Sequence, residues 1–281
     1  MGRQLNNLSG QLDIEVRRES KYIALSEISA TNLKMKENLR ELDIRFKNGT
    51  KEDKRVLQCL QPPCNLKILN IDGYGGESGM PKLKGWWGMT SSEQDSKEDI
   101  QLHVQVQHQH LVNWKPAFPK LGELRVDIVE LAITITMQQI PSLKKLYIWG
   151  SSIGEQSHQQ QAYTLPFSSC FPNLQHLVID RLSIKVFPEE IRYLSTLQSL
   201  GIHRFANIKE IPEWIDSLTS LQELDFLLCP RLESLPHQIV NLPNLNTFRI
   251  SSCGKLREKC QSPNGEYWHL VQHIPCLKIF Y

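Results

Sequence analysis

A repeat constrains this chain more than any other feature. The segments LSTLQSLGI, LTSLQELDF and LPNLNTFRI begin at Leu197, Leu221 and Leu245, 24 residues apart each time. Between them FPEEIRYL, IPEWIDSL and LPHQIVNL place prolines at Pro188, Pro212 and Pro236, again 24 apart. Two independent phases with one period define a structural unit rather than a coincidence. In LxxLxI the last two apolar positions are two apart, so an extended strand turns both to one side and the residues around them to the other. In Pro-x-x-Ile-x-x-Leu the apolar residues are three apart, which fits a single helical turn with proline at its first position. One such unit has nothing to bury its apolar side against. Stacked units do, and strand beside strand predicts a parallel sheet on the concave side of a curved α/β solenoid, with short helices or loops on the convex side.

The strand pattern recurs upstream at Leu39-Leu42-Ile44, Leu66-Leu69-Ile71, Leu121-Leu124-Val126, Leu143-Leu146-Ile148 and Leu174-Leu177-Ile179. The starts are separated by 27, 55, 22, 31 and 23 residues up to Leu197, and the 55 leaves room for a degenerate unit with a strand at Leu102, Val104 and Val106. Leu12 and Ile14 fit a first strand. The expected organisation is one domain over 1–281, with irregular repeats 1–71, an insert or flexible loop 72–118, regular repeats 119–256 and a C-terminal cap 257–281. GYGGESG and TSSEQDSKED lack the apolar content to order a loop, and Tyr267, Trp268, Leu270, Val271 and Ile274 form a helix-like apolar set.

Composition removes several classes of function. Thirty-two basic against thirty acidic residues leave a net charge of +2, without the basic excess that marks nucleic-acid or membrane binding. No apolar run approaches the roughly 20 residues of a membrane span and no signal core opens the chain, so the expected location is the cytoplasm or nucleus. The seven cysteines form no CxxC pair and read as reduced thiols. Asn7 and Asn48 head glycosylation triplets that carry meaning only on secretion.

These residues resemble the C-terminal leucine-rich-repeat region of plant nucleotide-binding leucine-rich-repeat disease-resistance proteins of the coiled-coil class. The resemblance rests on NLKMKENLRELDIRF, on CLQPPCNLKILNIDGYGG, on LPxxIxxLxxLxxLxIxxC with Cys229 and Cys253 at the ninth repeat position, and on the closing GEYWHLVQHIPCLKI. It implies a leucine-rich-repeat solenoid that recognises pathogen effectors or guarded host proteins and restrains an adjoining nucleotide switch. This chain has no GxxxxGK[ST] loop, since Gly73, Gly75, Gly76 and Gly79 have the wrong spacing. No cofactor is expected in it, and ADP or ATP would belong to a nucleotide-binding domain absent from it. The alternative is a stand-alone leucine-rich-repeat adaptor or decoy.

Catalytic and metal chemistry find little support. Strand alternation separates His103 from His108 and His110, and position 270, a leucine, breaks HExxH at His269 and His273. No GxSxG elbow is present. Cys229 and Cys253 fall where the strand turns toward the convex side and read as core residues bonded to backbone. An interaction module, not an enzyme, is therefore expected. Its protein-binding residues on the concave face are Lys145, Tyr147, Trp149, His176, Asp180, Arg181, Gln198, His203, Arg204, Glu223, Asp225 and Arg249, with the adjacent aromatics Tyr147 and Trp149 as the strongest pair.

Overall fold

The computed structural model describes residues 9–17, 32–47, 49–50, 53–75, 118–126, 140–150, 167–181, 186–261 and 263–280. Each LxxLxI segment forms a strand: β1 Gly10–Val16, β2 Leu39–Phe46, β3 Ile68–Asp72, β4 Glu123–Val126, β5 Lys145–Trp149, β6 His176–Asp180, β7 Ser199–His203, β8 Glu223–Leu227, β9 Thr247–Ser251 and β10 Cys276–Phe280. They lie in one unclosed sheet in chain order, every neighbouring pair parallel. Leu102, Val104 and Val106 fall outside the described residues.

Register follows from burial. Leu42, Leu69, Leu124, Leu146, Leu177, Leu200, Leu224 and Phe248 line up across the sheet, each fully buried. Two residues on, Ile44, Ile71, Val126, Ile148, Ile179, Ile202, Phe226 and Ile250 form a second buried row. A slip of one residue would turn a whole strand's apolar set to solvent, so these rows fix the pairing. Phe226 and Phe248 close the core edge to face, 6.1 Å between ring centroids.

The proline segments form 3-10 turns, η2 Glu189–Tyr193, η3 Glu213–Ser217 and η4 His237–Asn241, after a first at η1 Leu33–Met35. Each of Pro188, Pro212 and Pro236 stands one position before its turn in extended backbone, not at the first helical position expected from sequence. In each turn the i→i+3 bond closes on the proline carbonyl, from Ile191 to Pro188 at 3.2 Å, Ile215 to Pro212 at 3.1 Å and Ile239 to Pro236 at 3.2 Å. Ile191, Ile215 and Ile239 point from these turns into the core.

A second repeated device turns the chain out of each strand. Gly73, Arg181, Arg204, Leu228 and Ser252 follow β3, β6, β7, β8 and β9 with positive φ of 70°, 55°, 56°, 56° and 53°. The left-handed conformation costs a non-glycine residue about 1–2 kcal/mol. It is offset because the N–H groups of Arg181, Arg204 and Leu228 donate to carbonyls of His203, Leu227 and Ser251 in the next repeat at 2.9, 2.7 and 2.9 Å. The following residues, Phe205, Cys229 and Cys253, then enter the core. The Cys229 N–H donates to Cys253 Sγ at 3.3 Å, and Cys253 Sγ donates to the Ser251 carbonyl at 3.3 Å. All seven cysteines are free thiols. The hydrogen bond with Cys253, and then burial, push the Cys229 thiol far up, while burial pushes Cys260 up to about 12. Thiols so placed are packing groups rather than nucleophiles.

Two segments differ from the sequence reading. Asp72, Gly73, Tyr74 and Gly75, expected at the start of a flexible loop, pack as part of the third repeat. Tyr74 is buried with its ring edge-on to Phe46 at 5.9 Å. A Cβ on Gly75 would stand 2.0 Å from the Gly49 carbonyl carbon, so only glycine permits this approach. Asp53, fully buried at the start of α1 (Asp53–Leu60), accepts from the N–H groups of Thr50 and Gly75, both at 2.9 Å, and ties the two loops together. Phe118, at the far limit of the expected insert, is also buried; residues 76–117 lie outside the described set. Asp53→Ala removes the one oxygen, Oδ2, that accepts from both N–H groups and is expected to cost about 1–3 kcal/mol, read as a lower urea midpoint.

The C-terminal segment carries helical turns, α3 Gly254–Cys260 and α4 Trp268–Val271, but then adds a tenth strand rather than only closing the array. β10 pairs with β9 residue for residue from Cys276 opposite Thr247 to Phe280 opposite Ser251. Upstream, between β5 and β6, a single helical turn α2 at Phe167–Cys170 seats Phe167 in the core.

Candidate functional site

The side chains between the buried rows face away from the core, on the side expected to be concave. Strand alternation and register arrange them in three lines. The first runs Glu123, Lys145, His176, Ser199, Glu223, Thr247; the second Arg125, Tyr147, Val178, Gly201, Asp225, Arg249; the third Trp149, Asp180, His203, Leu227, Ser251. Of the residues named from sequence, Lys145, Tyr147, Trp149, His176, Asp180, His203, Glu223, Asp225 and Arg249 occupy these lines. Arg181 and Arg204 sit one residue beyond, at the left-handed corners. Gln198 does not belong with them. It stands two residues before the inward Leu200, in the phase of the core residues, and its carbonyl accepts from the N–H groups of Gln222 and Glu223 at 2.8 and 2.9 Å. Ser199 takes its place on the open face.

Ion pairs knit this face. The Arg125 Nε donates to Glu123 Oε1 at 2.7 Å, its guanidinium lies 5.2 Å from the Tyr147 ring centroid, and Lys145 Nζ stands 3.9 Å from Glu123. Arg204 grips Asp180 with two donors, Nε at 2.7 Å from Oδ1 and Nη2 on Oδ2. Arg249 lies 3.7 Å from Glu223. At the second line's midpoint the absent side chain of Gly201 leaves room for the His203 ring, whose Nε2 would be 3.0 Å from a Cβ there. That nitrogen lies 3.4 Å from Asp225 Oδ2 without hydrogen-bond geometry.

Between the Arg125–Glu123 pair and the Asp180–Arg204 pair, a shallow depression is lined by Asn70, Arg125, Tyr147, Ile148, Trp149, Val178 and Asp180. Tyr147 and Trp149 are half-buried walls over an aliphatic floor. Asn70 donates through Nδ2 to the buried carboxylate of Asp43 at 2.5 Å, and its own Oδ1 has no partner among the described residues. Asn70, Glu123 and Arg125 were missed from sequence. The signal was present: Leu121-Leu124-Val126 assigns Glu123 and Arg125 outward by the same alternation that selected Tyr147.

His176 lies in the first line between Lys145 and Ser199. Burial, and after it the Lys145 charge, hold its imidazole below the ordinary 6.5, against a weaker upward pull from Glu223 and Glu123. The unfolded state therefore takes up the proton first. Stability is complete above the ordinary histidine value and is lost as pH falls from there through the depressed one. His176→Gln is expected to flatten the loss of thermal stability below neutrality without changing it at pH 8, checked by melting curves across pH.

Among the described residues no group of three or more His, Cys, Asp or Glu side chains could hold a metal. His103, His108 and His110 fall outside the described set, and His269 and His273 are exposed on and just after α4. Paired charges, half-buried aromatics and an open floor suit recognition of a surface rather than enclosure of a small molecule.

Ten parallel strands in one unclosed sheet, with inward leucines in register and short turns between, define a leucine-rich-repeat solenoid of the α/β class. Residues 3–129, the less regular part, match the family model described as R13L1/DRL21 LRRs, so the chain carries a leucine-rich-repeat region by sequence as well as by fold. No curated protein matches the chain. Among solved structures, a leucine-rich-repeat protein of Leptospira interrogans is 22% identical over 89% of this chain and 50% of its own, with a TM-score of 0.47. The leucine-rich-repeat domain of the type III effector XopL is 13% identical, covering 96% of this chain and 76% of that one at a TM-score of 0.41. The plant peptide hormone receptor RGFR1, in complex with RGF2, is 17% identical over 89% of this chain and 44% of its own, at 0.35. This chain thus spans half the length of the Leptospira protein. Among the described residues no helix is long and apolar enough to cross a membrane.

Proposed function

We propose that this chain is the protein-recognition module of a plant disease-resistance protein, acting inside the cell, whose open sheet face binds a pathogen effector or a guarded host protein. Where a nucleotide switch domain adjoins it, the same module restrains that switch. A partner preferring one state shifts the switch by its difference in affinity for the two. ADP or ATP belongs to the switch, and this chain contributes binding rather than catalysis.

The observation that carries the reading is the Arg125–Tyr147–Trp149 cluster at the depression. Glu123 with Arg125, Asp180 with Arg204 and Glu223 with Arg249 are already paired within the chain. A partner gains little by replacing those pairs, because each charge it captures must first leave a good acceptor. The aromatic walls offer apolar area without that cost, and aromatic and arginine side chains dominate the energetics of protein interfaces. Co-expression with candidate effectors in leaf tissue, scored for co-purification and cell death, tests the reading. Co-purification that depends on Tyr147 and Trp149 supports it, and cell death only when a nucleotide-binding domain is joined supports the restraint. Binding without any defence output favours an adaptor or decoy, and no binding to proteins of either origin overturns the reading.

A further inference from the structure

The apolar residues that pack against the core yet stay partly exposed are concentrated at the two ends of the sheet. Leu12 and Ile14 are on β1, Leu277 and Ile279 are on β10, and Tyr267 and Trp268 lie just before β10. Within the described residues β1 pairs only with β2 and β10 only with β9, so each end strand presents one row of backbone donors and acceptors.

Charge follows the same division. Asp13 on β1 stands opposite Asp43 on β2, and Lys278 on β10 stands opposite Arg249 on β9. The inner partners are already served, since Gln11 Nε2 donates to both Asp13 and Asp43, at 3.2 and 3.1 Å, Arg45 lies 3.9 Å from Asp43, and Arg249 lies 3.7 Å from Glu223, so among the described residues Asp13 and Lys278 are the members of the two pairs left without an ion pair. Opposing Leu277 to Leu12, in the register that every inner pair follows, sets Lys278 against Asp13 and Ile279 against Ile14. Each end supplies what the other lacks: an inward apolar pair and the opposite charge at the same position of the strand.

From this complementarity we infer that two copies of the chain join head to tail, β10 of one copy pairing in parallel with β1 of the next, so that the sheet and its buried rows continue across the junction. Such a contact is heterologous and can add further copies. Ionic strength should weaken it, since the Lys278–Asp13 pair lies at an exposed edge.

Sedimentation velocity of the full chain over a concentration series tests the inference. Concentration-dependent species larger than the monomer are expected. Asp13→Lys and Lys278→Asp should each weaken association about tenfold, because each sets like charges against each other at the junction. Neither should impair folding, as each puts an opposite charge beside its own inner neighbour, Asp43 or Arg249. Circular dichroism melts verify that. An equimolar mixture of the two variants should recover association, because both kinds of junction between unlike copies then pair opposite charges, whereas each variant alone offers only like charges. A wild-type chain that stays monomeric at every concentration overturns the inference. So does association that both variants leave unchanged, or variants that fail to complement when mixed.

Discussion

A chain carrying Leu224→Asp is expected to lose its cooperative thermal transition, while Asp225→Leu, one residue away, keeps it. Leu224 is completely buried in the middle of β8, flanked in its row by Leu200 and Phe248. The substitution gives up about 2–3 kcal/mol of apolar burial. It also confines a carboxylate among apolar neighbours, which costs several kcal/mol more unless the group takes up a proton. Against a net stability of about 5–15 kcal/mol the sum is decisive. In a solenoid each repeat is held mainly by its neighbours, so the loss also strips β7 and β9 of one packed face. Asp225 points the opposite way, toward the open face. A register displaced by one residue would reverse the two outcomes, so the pair of melting curves tests the placement of every strand. A normal transition for Leu224→Asp refutes it.

The double substitution Tyr147→Ala with Trp149→Ala is expected to have the opposite profile, with folding intact and partner binding weakened by about 2–4 kcal/mol, thirtyfold to a thousandfold. Both side chains are half exposed, while Leu146 and Ile148 between and beside them carry the strand's contribution to the core. Removing Tyr147 also takes away the ring beneath the Arg125 guanidinium, leaving that arginine to Glu123 alone. Far-UV circular dichroism should not change. Binding assays with a co-purifying effector or host protein read the loss. Undiminished affinity would move the recognition surface away from this depression.

The strands were legible because their signal is doubly encoded, once in the two-residue alternation of LxxLxI and again in its recurrence, and both encode burial directly. Leu12 and Ile14 were readable on those grounds even at the edge of the sheet. Cys229 and Cys253 were placed for a related reason, since the turn that follows each strand delivers the next residue inward. Elements whose cause lies in another segment could not be read locally. Nothing near Gly75 reveals that Gly49 touches it, and nothing near Asp53 reveals that its carboxylate serves the N–H groups of two loops. Tyr74 looked like a loop residue because its apolar partner, Phe46, belongs to the preceding repeat. On the open face the alternation rule sufficed for most positions; Gln198 lies one residue before β7 begins at Ser199, outside the alternation that the strand imposes. The pairing of Arg204 with Asp180, 24 residues apart, follows from the period, but sequence does not choose it over Arg181, and only the corner geometry does.

A carbonyl at the head of each strand from β5 to β8 accepts two N–H groups from the next repeat: Lys144 from Gln175 and His176, Gln175 from Gln198 and Ser199, Gln198 from Gln222 and Glu223, Gln222 from Asn246 and Thr247. The joint is the same whichever repeats it connects, and it asks nothing of the side chains that face outward. A gene encoding such a chain can therefore lose or duplicate one 24-residue period, such as that linking Cys229 to Cys253, and still specify strands that meet identical joints. Unequal recombination between repeats then alters how far the recognition face reaches and which side chains it displays, without a new folding problem to solve. Diversity of specificity and conservation of architecture are in this way assigned to different atoms of the same residues, the former to side chains and the latter to main chain.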